Sequence, residues 1–207
     1  MDKVNFNDIS ACVFDFGNVL VSYDPMRLTH ACIKNEEEAR IVCPVVFDRL
    51  YWDALDAGIV SDDEVKEAFC KRLPDALCRQ ATEVYDRWIE NLTVIDGMKN
   101  LIEKISASGR RLYILSNISR GFAEKYSSVP HINELLSVFD GLVFSGCIGI
   151  TKPDKRIYRY LLDRFSLDAG RCVFIDDRQE NVQAAISEGM KGILFDSGAC
   201  GLESALF

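Results

Sequence analysis

The chain has 207 residues, of which 24 are basic, 32 are acidic and two are histidine, so its formal net charge is −8. Since a domain averages roughly 150 residues, this length predicts one domain, or one domain with a modest insertion. The 48% content of hydrophobic residues argues against wholesale disorder, and the acidic balance argues against a general binder of nucleic acid or anionic membranes. Residues 1–10 lack the layout of a signal peptide, and no apolar run reaches the ~20 residues of a membrane span, so we expect a cytoplasmic protein.

Five short apolar runs predict strands, and they are mostly unbroken rather than alternating, as in a parallel sheet buried on both faces. They cover residues 11–16, 111–115, 141–144, 172–175 and 192–195. Apolar residues at helical spacing precede the second, fourth and fifth runs. Strands that alternate with helices predict right-handed crossovers and an α/β fold with a doubly wound parallel sheet.

The long segment between the first and second strands shows only helical stretches. They begin near Pro25, after Asn35 and after Ser61, with a further one over residues 80–90. Ser61 and Glu64 have the spacing of a capping box. The segment has about 70 residues, whereas a crossover needs only a dozen or so. We therefore predict a core domain of residues 1–22 and 95–207 and a helical cap of residues 23–94.

Eight cysteines are the unusual feature of the composition. They form no CxxC pair and no short cluster with histidine, so a zinc site has no local support. Their even number permits disulfides, but a chain of this size does not require them. We expect most of them to be small apolar members of the core.

Polar side chains follow four of the predicted strands where each strand ends. In chain order they are Asp15, then Ser116 and Asn117, then Lys152, then Asp176, Asp177 and Asn181; Gly17 lies two residues after Asp15. Taken alone, each has an ordinary explanation as a turn residue, a helix cap or a surface charge. Ligands of open α/β sheets bind at the carboxyl ends of the strands, so together these residues predict one site.

The residue types in this group indicate the chemistry. Carboxylates without histidine or cysteine suit a hard cation with oxygen ligands, above all Mg²⁺. A lysine, a serine hydroxyl and backbone N–H groups suit the oxygens of a phosphoryl group. A carboxylate that faces such a group can act as a nucleophile and form an aspartyl phosphate.

These motifs resemble those of the haloacid dehalogenase (HAD) superfamily, in the branch with a helical cap inserted after the first strand. The matching segments are residues 14–19 (FDFGNV), 115–117 (LSN), 152–153 (KP) and 176–177 (DD). Within the superfamily they are most similar to bacterial α-D-glucose-1-phosphate phosphatases and to the phosphatase domain of soluble epoxide hydrolases. The cap segment 52–61 adds to this narrower resemblance.

The resemblance implies a role for each residue of the group. Asp15 would be the nucleophile, Ser116 would hydrogen-bond the phosphoryl oxygens with help from the Asn117 backbone, and Lys152 would neutralise charge between nucleophile and phosphate. Asp15, Asp177 and the main-chain carbonyl of Gly17 would hold Mg²⁺, with Asp176 and Asn181 shaping that corner of the site.

The implied activity is that of a Mg²⁺-dependent phosphatase acting on a small phosphorylated metabolite, such as a hexose 1-phosphate. No nucleic acid or membrane partner is expected, and the protein would be a monomer or a weak dimer. Alternatives with the same fold are a 2-haloacid dehalogenase, which uses no metal, and a phosphomutase. A non-catalytic phosphate-binding regulatory module is the alternative from another class.

Gly17 departs from the pattern of the superfamily. Most HAD phosphatases have a second Asp there, which protonates the leaving oxygen and later activates water, and glycine can do neither. Loss of such a group costs about 10²–10⁴ in rate. Two hypotheses remain open: the substrate has a leaving group that needs little protonation, such as an anomeric sugar phosphate, or Asp24 or a cap residue replaces the acid.

The cap offers candidates for contacts with a substrate. They are His30, Arg49, Tyr51, Trp52 and Trp88. Aromatic residues at helical spacing more often belong to a core, so each of these also has a purely structural interpretation.

Overall fold

The computed structural model describes residues 5–207. In chain order the elements are β1 (Ala11–Phe14), β2 (Val21–Ser22), α1 (Pro25–Cys32), α2 (Glu36–Val46), α3 (Arg49–Asp56), α4 (Asp62–Cys70), α5 (Asp75–Arg87), β3 (Thr93–Val94), α6 (Met98–Ala107), β4 (Arg111–Ser116), α7 (Arg120–Lys125), α8 (Pro130–Leu136), β5 (Gly141–Phe144), α9 (Ser145–Ile148), α10 (Lys155–Phe165), β6 (Cys172–Asp176), α11 (Gln179–Ser187), β7 (Lys191–Leu194) and α12 (Gly198–Leu206). Within this range no helix combines the length and the apolar character that crossing a membrane requires.

Five parallel strands form the central sheet in the order β5-β4-β1-β6-β7. Each corresponds to one of the predicted apolar runs, so the α/β doubly wound sheet is confirmed. The chain proceeds outward from β1 on one side and then on the other, so the strand order reverses beside β1. The carboxyl end of β1 therefore lies at the point where such sheets bind ligands.

The two faces of the sheet carry separate apolar layers. Val13 of β1 packs with residues of α10 and α11, whereas Cys12 and Phe14 pack on the opposite face with α6, α8 and α12. All four residues of β1 are buried. Helices on both faces explain why the strand sequences are unbroken apolar runs.

Helices α1 to α5 lie between two short strands that the sequence patterns did not reveal. β2 and β3 pair in antiparallel fashion, with Val21 opposite Val94 and Ser22 opposite Thr93. Two residues are too few to show a periodicity. The division into a core of 1–22 and 95–207 and a cap of 23–94 stays a prediction.

Four cap helices begin at sites where a side chain caps the first turn. Asp24, Asn35, Asp48 and Ser61 accept hydrogen bonds from backbone N–H groups of α1, α2, α3 and α4, and Ser61 with Glu64 completes the predicted capping box. Helices α1, α2, α4 and α5 match the predicted helical stretches. Helix α3 (Arg49–Asp56) was not among the predicted helical stretches.

The end of α3 meets the core through a contact between two glycines. Gly58 has a φ of +67°, and a Cβ atom on it would lie 2.7 Å from the carbonyl oxygen of Gly146. A Cβ atom on Gly146 would in turn lie 2.6 Å from the backbone nitrogen of Arg120. A side chain at either position would separate these backbone segments, so this contact determines how closely α3 approaches the core.

The cysteines follow the expectation only in part. Cys12, Cys43 and Cys172 are buried, as expected of small apolar core residues, whereas Cys147 and Cys200 are exposed. Cys70 at the end of α4 and Cys78 in α5 form a disulfide. No sequence motif singles out this pair, because the packing of two adjacent helices brings the residues together.

Candidate active site

A cavity of about 630 Å³ lies between the rim of the sheet and the cap, and its volume is typical of small-molecule sites. From the core it is lined by residues that include Asp15, Gly17, Ser116, Asn117, Lys152, Asp177 and Asn181. From the cap and the segment leading to it, the lining includes Tyr23, Phe47, Arg49, Trp52, Asp53, Asp56 and Trp88. The tertiary structure thus brings all but one of the predicted site residues to one cavity. The exception, Asp176, is fully buried behind the cavity wall.

Lys152 is buried at the base of the cavity between two carboxylates. Its Nζ lies 2.8 Å from Asp15 Oδ1 and 2.7 Å from Asp176 Oδ2. The Asn117 side chain holds the Lys152 backbone at both ends, because it accepts from Lys152 N at 2.7 Å and donates to Lys152 O at 2.9 Å. Burial lowers the pKa of the Lys152 amine, but Asp15 and Asp176 outweigh this effect, so its pKa lies above the ordinary value. Lys152 therefore remains a cation.

Asp15 follows β1 directly, and its backbone N–H donates to Ile175 O at 2.9 Å. Burial raises the pKa of the Asp15 carboxyl to about 6; Lys152 opposes this rise and Asp176 adds to it. The carboxyl is consequently ionised for the most part at neutral pH. An ionised carboxylate beside a fixed cation is the state that nucleophilic attack on an anionic phosphoryl group requires.

Asp176 is held by hydrogen bonds on both of its oxygens. It accepts from Arg178 N at 2.8 Å and from Asn181 Nδ2 at 3.0 and 3.1 Å, in addition to its ion pair with Lys152. Asp177, its neighbour, is half-buried and lines the cavity. Burial and the charge of Asp176 raise the pKa of Asp177. Asp176 and Asn181 are thus placed to position other groups, whereas Asp177 faces the ligand space.

The carboxylates of this corner fit a hard divalent cation. Asp15, Asp176 and Asp177 each offer an oxygen atom, and these atoms lie within 4.8 Å of one another. Lys152 offsets only part of their charge, and the raised pKa values of Asp15 and Asp177 reflect burial and mutual repulsion. A divalent cation with oxygen ligands would relieve that repulsion. Since Asp176 is already fully hydrogen-bonded, Asp15 and Asp177 are the better available ligands.

Gly17 lines the cavity beside Asp15, and a Cβ atom built on it would have no atom of the described residues within 4 Å apart from its chain neighbours. The place where the usual second Asp would stand is therefore open. Asp24, one suggested substitute, does not fill the role: it is exposed, caps α1 by accepting from Met26 N and Arg27 N, and does not line the cavity.

Aromatic rings form the cap side of the cavity. Phe47 stacks on Trp52 with centroids 5.5 Å apart, and Trp52 contacts Trp88 edge-on at 5.1 Å. Tyr23 contacts all three of these rings. The Trp52 indole is fixed by donating to Val46 O at 2.8 Å. These rings offer an apolar wall to the carbon skeleton of a ligand.

The five cap candidates divide between cavity and surface. Trp52, Trp88 and Arg49 line the cavity. Tyr51 instead accepts a hydrogen bond from Arg72, and His30 lies beside Ile33 O and Glu36, so both serve the cap itself.

Two acidic residues of the cavity were missed by the sequence reasoning, namely Asp53 and Asp56 of α3. Their positions could have been inferred from the sequence: Arg49, Trp52, Asp53 and Asp56 follow one another at the three- and four-residue steps that place side chains on one helix face.

Comparison with protein families yields a match over residues 9–189 to the family described as haloacid dehalogenase-like hydrolase. Two curated relatives align over nearly the whole chain. Sesquiterpene phosphatase astK of Aspergillus oryzae is 25% identical, and the alignment covers 93% of each chain. D-ribitol-5-phosphate phosphatase of Bacteroides thetaiotaomicron is also 25% identical, with 92% of this chain and 94% of the relative covered.

Solved structures show the same fold. A dehalogenase with an intermediate complex superposes with a TM-score of 0.71 at 17% identity, covering 93% of this chain and 86% of the other. A HAD family enzyme of B. thetaiotaomicron in complex with magnesium and inorganic phosphate gives a TM-score of 0.66 at 16% identity, covering 91% and 95%. At such identities these structures establish the fold. The narrower resemblance to glucose-1-phosphate phosphatases and epoxide hydrolases stays a prediction.

Proposed function

Because the chain belongs to the haloacid dehalogenase-like hydrolase family, we propose that it is a Mg²⁺-dependent phosphatase that hydrolyses a small phosphorylated metabolite through an aspartyl phosphate. One observation carries the proposal: buried Lys152 lies 2.8 Å from the Asp15 carboxylate, at the base of a cavity that Asp177 and Ser116 also line. This arrangement supplies a nucleophile, a fixed cation and metal ligands together. The phosphatase activity of two full-length relatives supports it.

In the first step the Asp15 carboxylate attacks phosphorus, and the bond from phosphorus to the leaving oxygen breaks. Lys152 and the Ser116 hydroxyl hold the phosphoryl oxygens while charge develops on them. Mg²⁺, held by Asp15, Asp177 and the Gly17 carbonyl, would supply further charge neutralisation at the same oxygens. In the second step water attacks the phosphorus of the Asp15 phosphate, which releases inorganic phosphate and restores the carboxylate.

The alternatives fit the residues less well. A 2-haloacid dehalogenase needs no metal ligands, yet three carboxylates converge here. A phosphomutase depends on the second Asp that Gly17 replaces. A non-catalytic phosphate-binding module would not require a carboxylate that remains ionised beside a buried lysine.

We propose a sugar phosphate such as a hexose 1-phosphate as the substrate. The cavity volume of about 630 Å³ admits such a molecule, and Arg49 and Asp53 of the cap offer partners for hydroxyl groups. A second candidate is a phosphate ester with an apolar body. Its support is the aromatic wall of Phe47, Trp52 and Trp88.

Phosphate release from a panel of substrates, with Mg²⁺ and with a chelator, tests the proposal. The panel contains glucose 1-phosphate, glucose 6-phosphate, ribitol 5-phosphate, farnesyl phosphate and p-nitrophenyl phosphate. We expect Mg²⁺-dependent turnover that Asp15→Asn abolishes while the fold remains intact. Asp63→Asn is the control, because Asp63 is exposed on α4. Retained activity in Asp15→Asn would refute the assignment of the nucleophile, and phosphate binding without release by the wild-type protein would favour the non-catalytic module.

A further inference from the structure

The missing second Asp leaves the proposed phosphatase without a proton donor from the core. Gly17 has no side chain, and the space around its Cβ position is open. An alcohol is a poor leaving group unless its oxygen receives a proton, and the second step needs a base to take a proton from water. A group that performs both tasks has to reach the cavity from another element.

We propose that Asp56, the last residue of α3, is the general acid and base of this enzyme. This inference rests on the proposed phosphatase function and assigns a catalytic role to a cap residue. Asp56 lines the same cavity as Asp15, Ser116 and Lys152, from the opposite side. Its Oδ1 atom is shielded from solvent and has no hydrogen-bond partner in the part of the chain that the structure describes.

A buried carboxyl oxygen without a hydrogen-bond partner lowers the free energy of unfolding, and the location of Asp56 at the end of a helix increases this destabilisation. Asp56 stands at the carboxyl end of a helix, where the helix dipole disfavours a negative charge. A buried polar atom without a partner costs on the order of 1–3 kcal/mol. Such a position contributes nothing to the stability of the cap, whereas a ligand oxygen in the cavity would supply the missing partner.

The position of Asp56 is fixed by the contact between the cap and the core. Gly58, two residues later, lies so close to Gly146 that a Cβ atom on it would be 2.7 Å from the Gly146 carbonyl oxygen. On the other side Trp52, one helical turn earlier, packs among Phe47, Tyr23 and Trp88. The helix end that carries the carboxyl group is therefore held between packed neighbours, as the support of a group that transfers protons must be.

The charge state of Asp56 suits the role. Its pKa is raised to about 7, mainly by burial. The negative charges of Asp53 and of Asp15 across the cavity also raise the pKa, whereas the positive charges of Arg49 and Lys152 lower it. Burial raises the pKa of the Tyr23 and Tyr85 phenols, and the charge of Asp56 raises the pKa of both further. An acid whose pKa lies near neutrality is populated in both protonation states, which is what alternating donation and acceptance of a proton requires.

The other charged groups around the cavity are already engaged. Asp53 is exposed and pairs with Arg49 at 2.9 Å. Arg178 pairs with Glu180, and Asp177 is a proposed ligand of the metal ion. Among the lining residues described by the structure, Asp56 is thus the carboxyl group without another task.

The protons balance over the cycle. In the first step Asp15 attacks phosphorus, the bond to the leaving oxygen breaks, and that oxygen takes the proton of the Asp56 carboxyl, so the alcohol departs neutral. In the second step the Asp56 carboxylate takes a proton from water as the water oxygen attacks the Asp15 phosphate. Phosphate leaves, the Asp15 carboxylate returns, and Asp56 is protonated again.

The dependence of kcat/KM on the leaving group tests this assignment. The substrates are substituted phenyl phosphates, from p-nitrophenyl to unsubstituted phenyl phosphate, and glucose 6-phosphate as an alkyl phosphate. The variants are Asp56→Asn and Asp56→Glu, the double variant Gly17→Asp with Asp56→Asn, and the control Asp63→Asn. The slope of log(kcat/KM) against leaving-group pKa compares substrates within one variant, so partial loss of folded protein shifts every point equally and leaves the slope unchanged.

In Asp56→Asn we expect kcat/KM to fall by about 10²–10⁴-fold for phenyl and alkyl phosphates and far less for p-nitrophenyl phosphate, whose phenol leaves without a proton. The aspartyl phosphate should also accumulate, because water activation is slowed. Asp56→Glu should keep part of the activity, and Gly17→Asp should restore the shallow slope. A slope in Asp56→Asn equal to that of the wild type and of Asp63→Asn would overturn the assignment of Asp56. If the wild type released no phosphate from any substrate, or Asp15→Asn remained active, the phosphatase proposal itself would fail instead.

Discussion

Replacing Gly58 with alanine tests whether the cap is held over the cavity by the contact between Gly58 and Gly146. Two penalties are expected at this position. The φ of +67° disfavours any side chain by about 1–2 kcal/mol. In addition, the new Cβ would lie 2.7 Å from Gly146 O, whereas ordinary contacts begin at 3.4 Å. Relieving the overlap requires the end of α3 to move by about 0.7 Å, the difference between these two distances.

Gly109→Ala is the matched control. Gly109 has a φ of +80°, but a Cβ atom on it would have no atom within 4 Å, so this variant carries the backbone penalty without the clash. We expect Gly58→Ala to lose about 1–3 kcal/mol more in free energy of unfolding than Gly109→Ala, the usual cost of overpacking. Displacement of Asp56 and Trp52 should also lower kcat/KM of Gly58→Ala by about 10–10²-fold, since shifts near 1 Å have effects of that order.

Urea unfolding and steady-state kinetics on both variants provide the measurement. Equal stability losses in Gly58→Ala and Gly109→Ala, together with an unchanged kcat/KM, would refute the reasoning. That result would mean that the cap does not rely on close approach of these two backbones.

Two further predictions concern buried charges. Lys152→Met should abolish turnover and destabilise the fold by about 3–5 kcal/mol near neutral pH, because it leaves Asp15 and Asp176 without their cation. The loss of stability should be smaller near pH 5. In the variant the pKa of Asp15, about 6 in the wild type, rises further because Lys152 no longer lowers it, so the carboxyl is neutral at that pH. A loss of stability that does not change with pH in urea unfolding would contradict this. For Asp56, whose pKa rises from 3.8 to about 7, the folded protein binds the proton more tightly than the unfolded chain, so stability should fall as pH rises through that window. Asp56→Asn should remove this contribution while the exposed-site control Asp63→Asn retains it, and identical pH–stability curves for the two variants would show that Asp56 does not titrate in this way.

The sheet could be predicted because its physical cause is local. The central strands β1, β4 and β6 are almost entirely buried, and the edge strands β5 and β7 are partly buried, so each forms an apolar run that is visible in the sequence. Strands β2 and β3 have two residues each, and their pairing joins positions more than 70 residues apart. No local pattern encodes such a pairing, which explains why they were missed.

The carboxylates, the serine and the lysine of the site could also be predicted, because each follows a strand at the same edge of the sheet. Their individual tasks could not. That Asp176 is fully hydrogen-bonded and holds Lys152, while Asp177 faces the cavity, depends on which of two adjacent side chains points inward. The disulfide between Cys70 and Cys78 likewise depends on how α4 packs against α5.

The sequence by itself determined the α/β sheet; length and composition predicted one insertion, and the motifs predicted a phosphate site within an acidic protein. The reason is that fold class and strand-end chemistry follow from residues that are neighbours in sequence. Only the tertiary structure decided what stands opposite that site. Asp56 lies 41 positions from Asp15 in the sequence, and it reaches the same cavity because Gly58 allows α3 to meet the core at Gly146. The open space at Gly17, and the lack of a hydrogen-bond partner for Asp56 Oδ1 among residues 5–207, are both consequences of packing, which a linear pattern does not record.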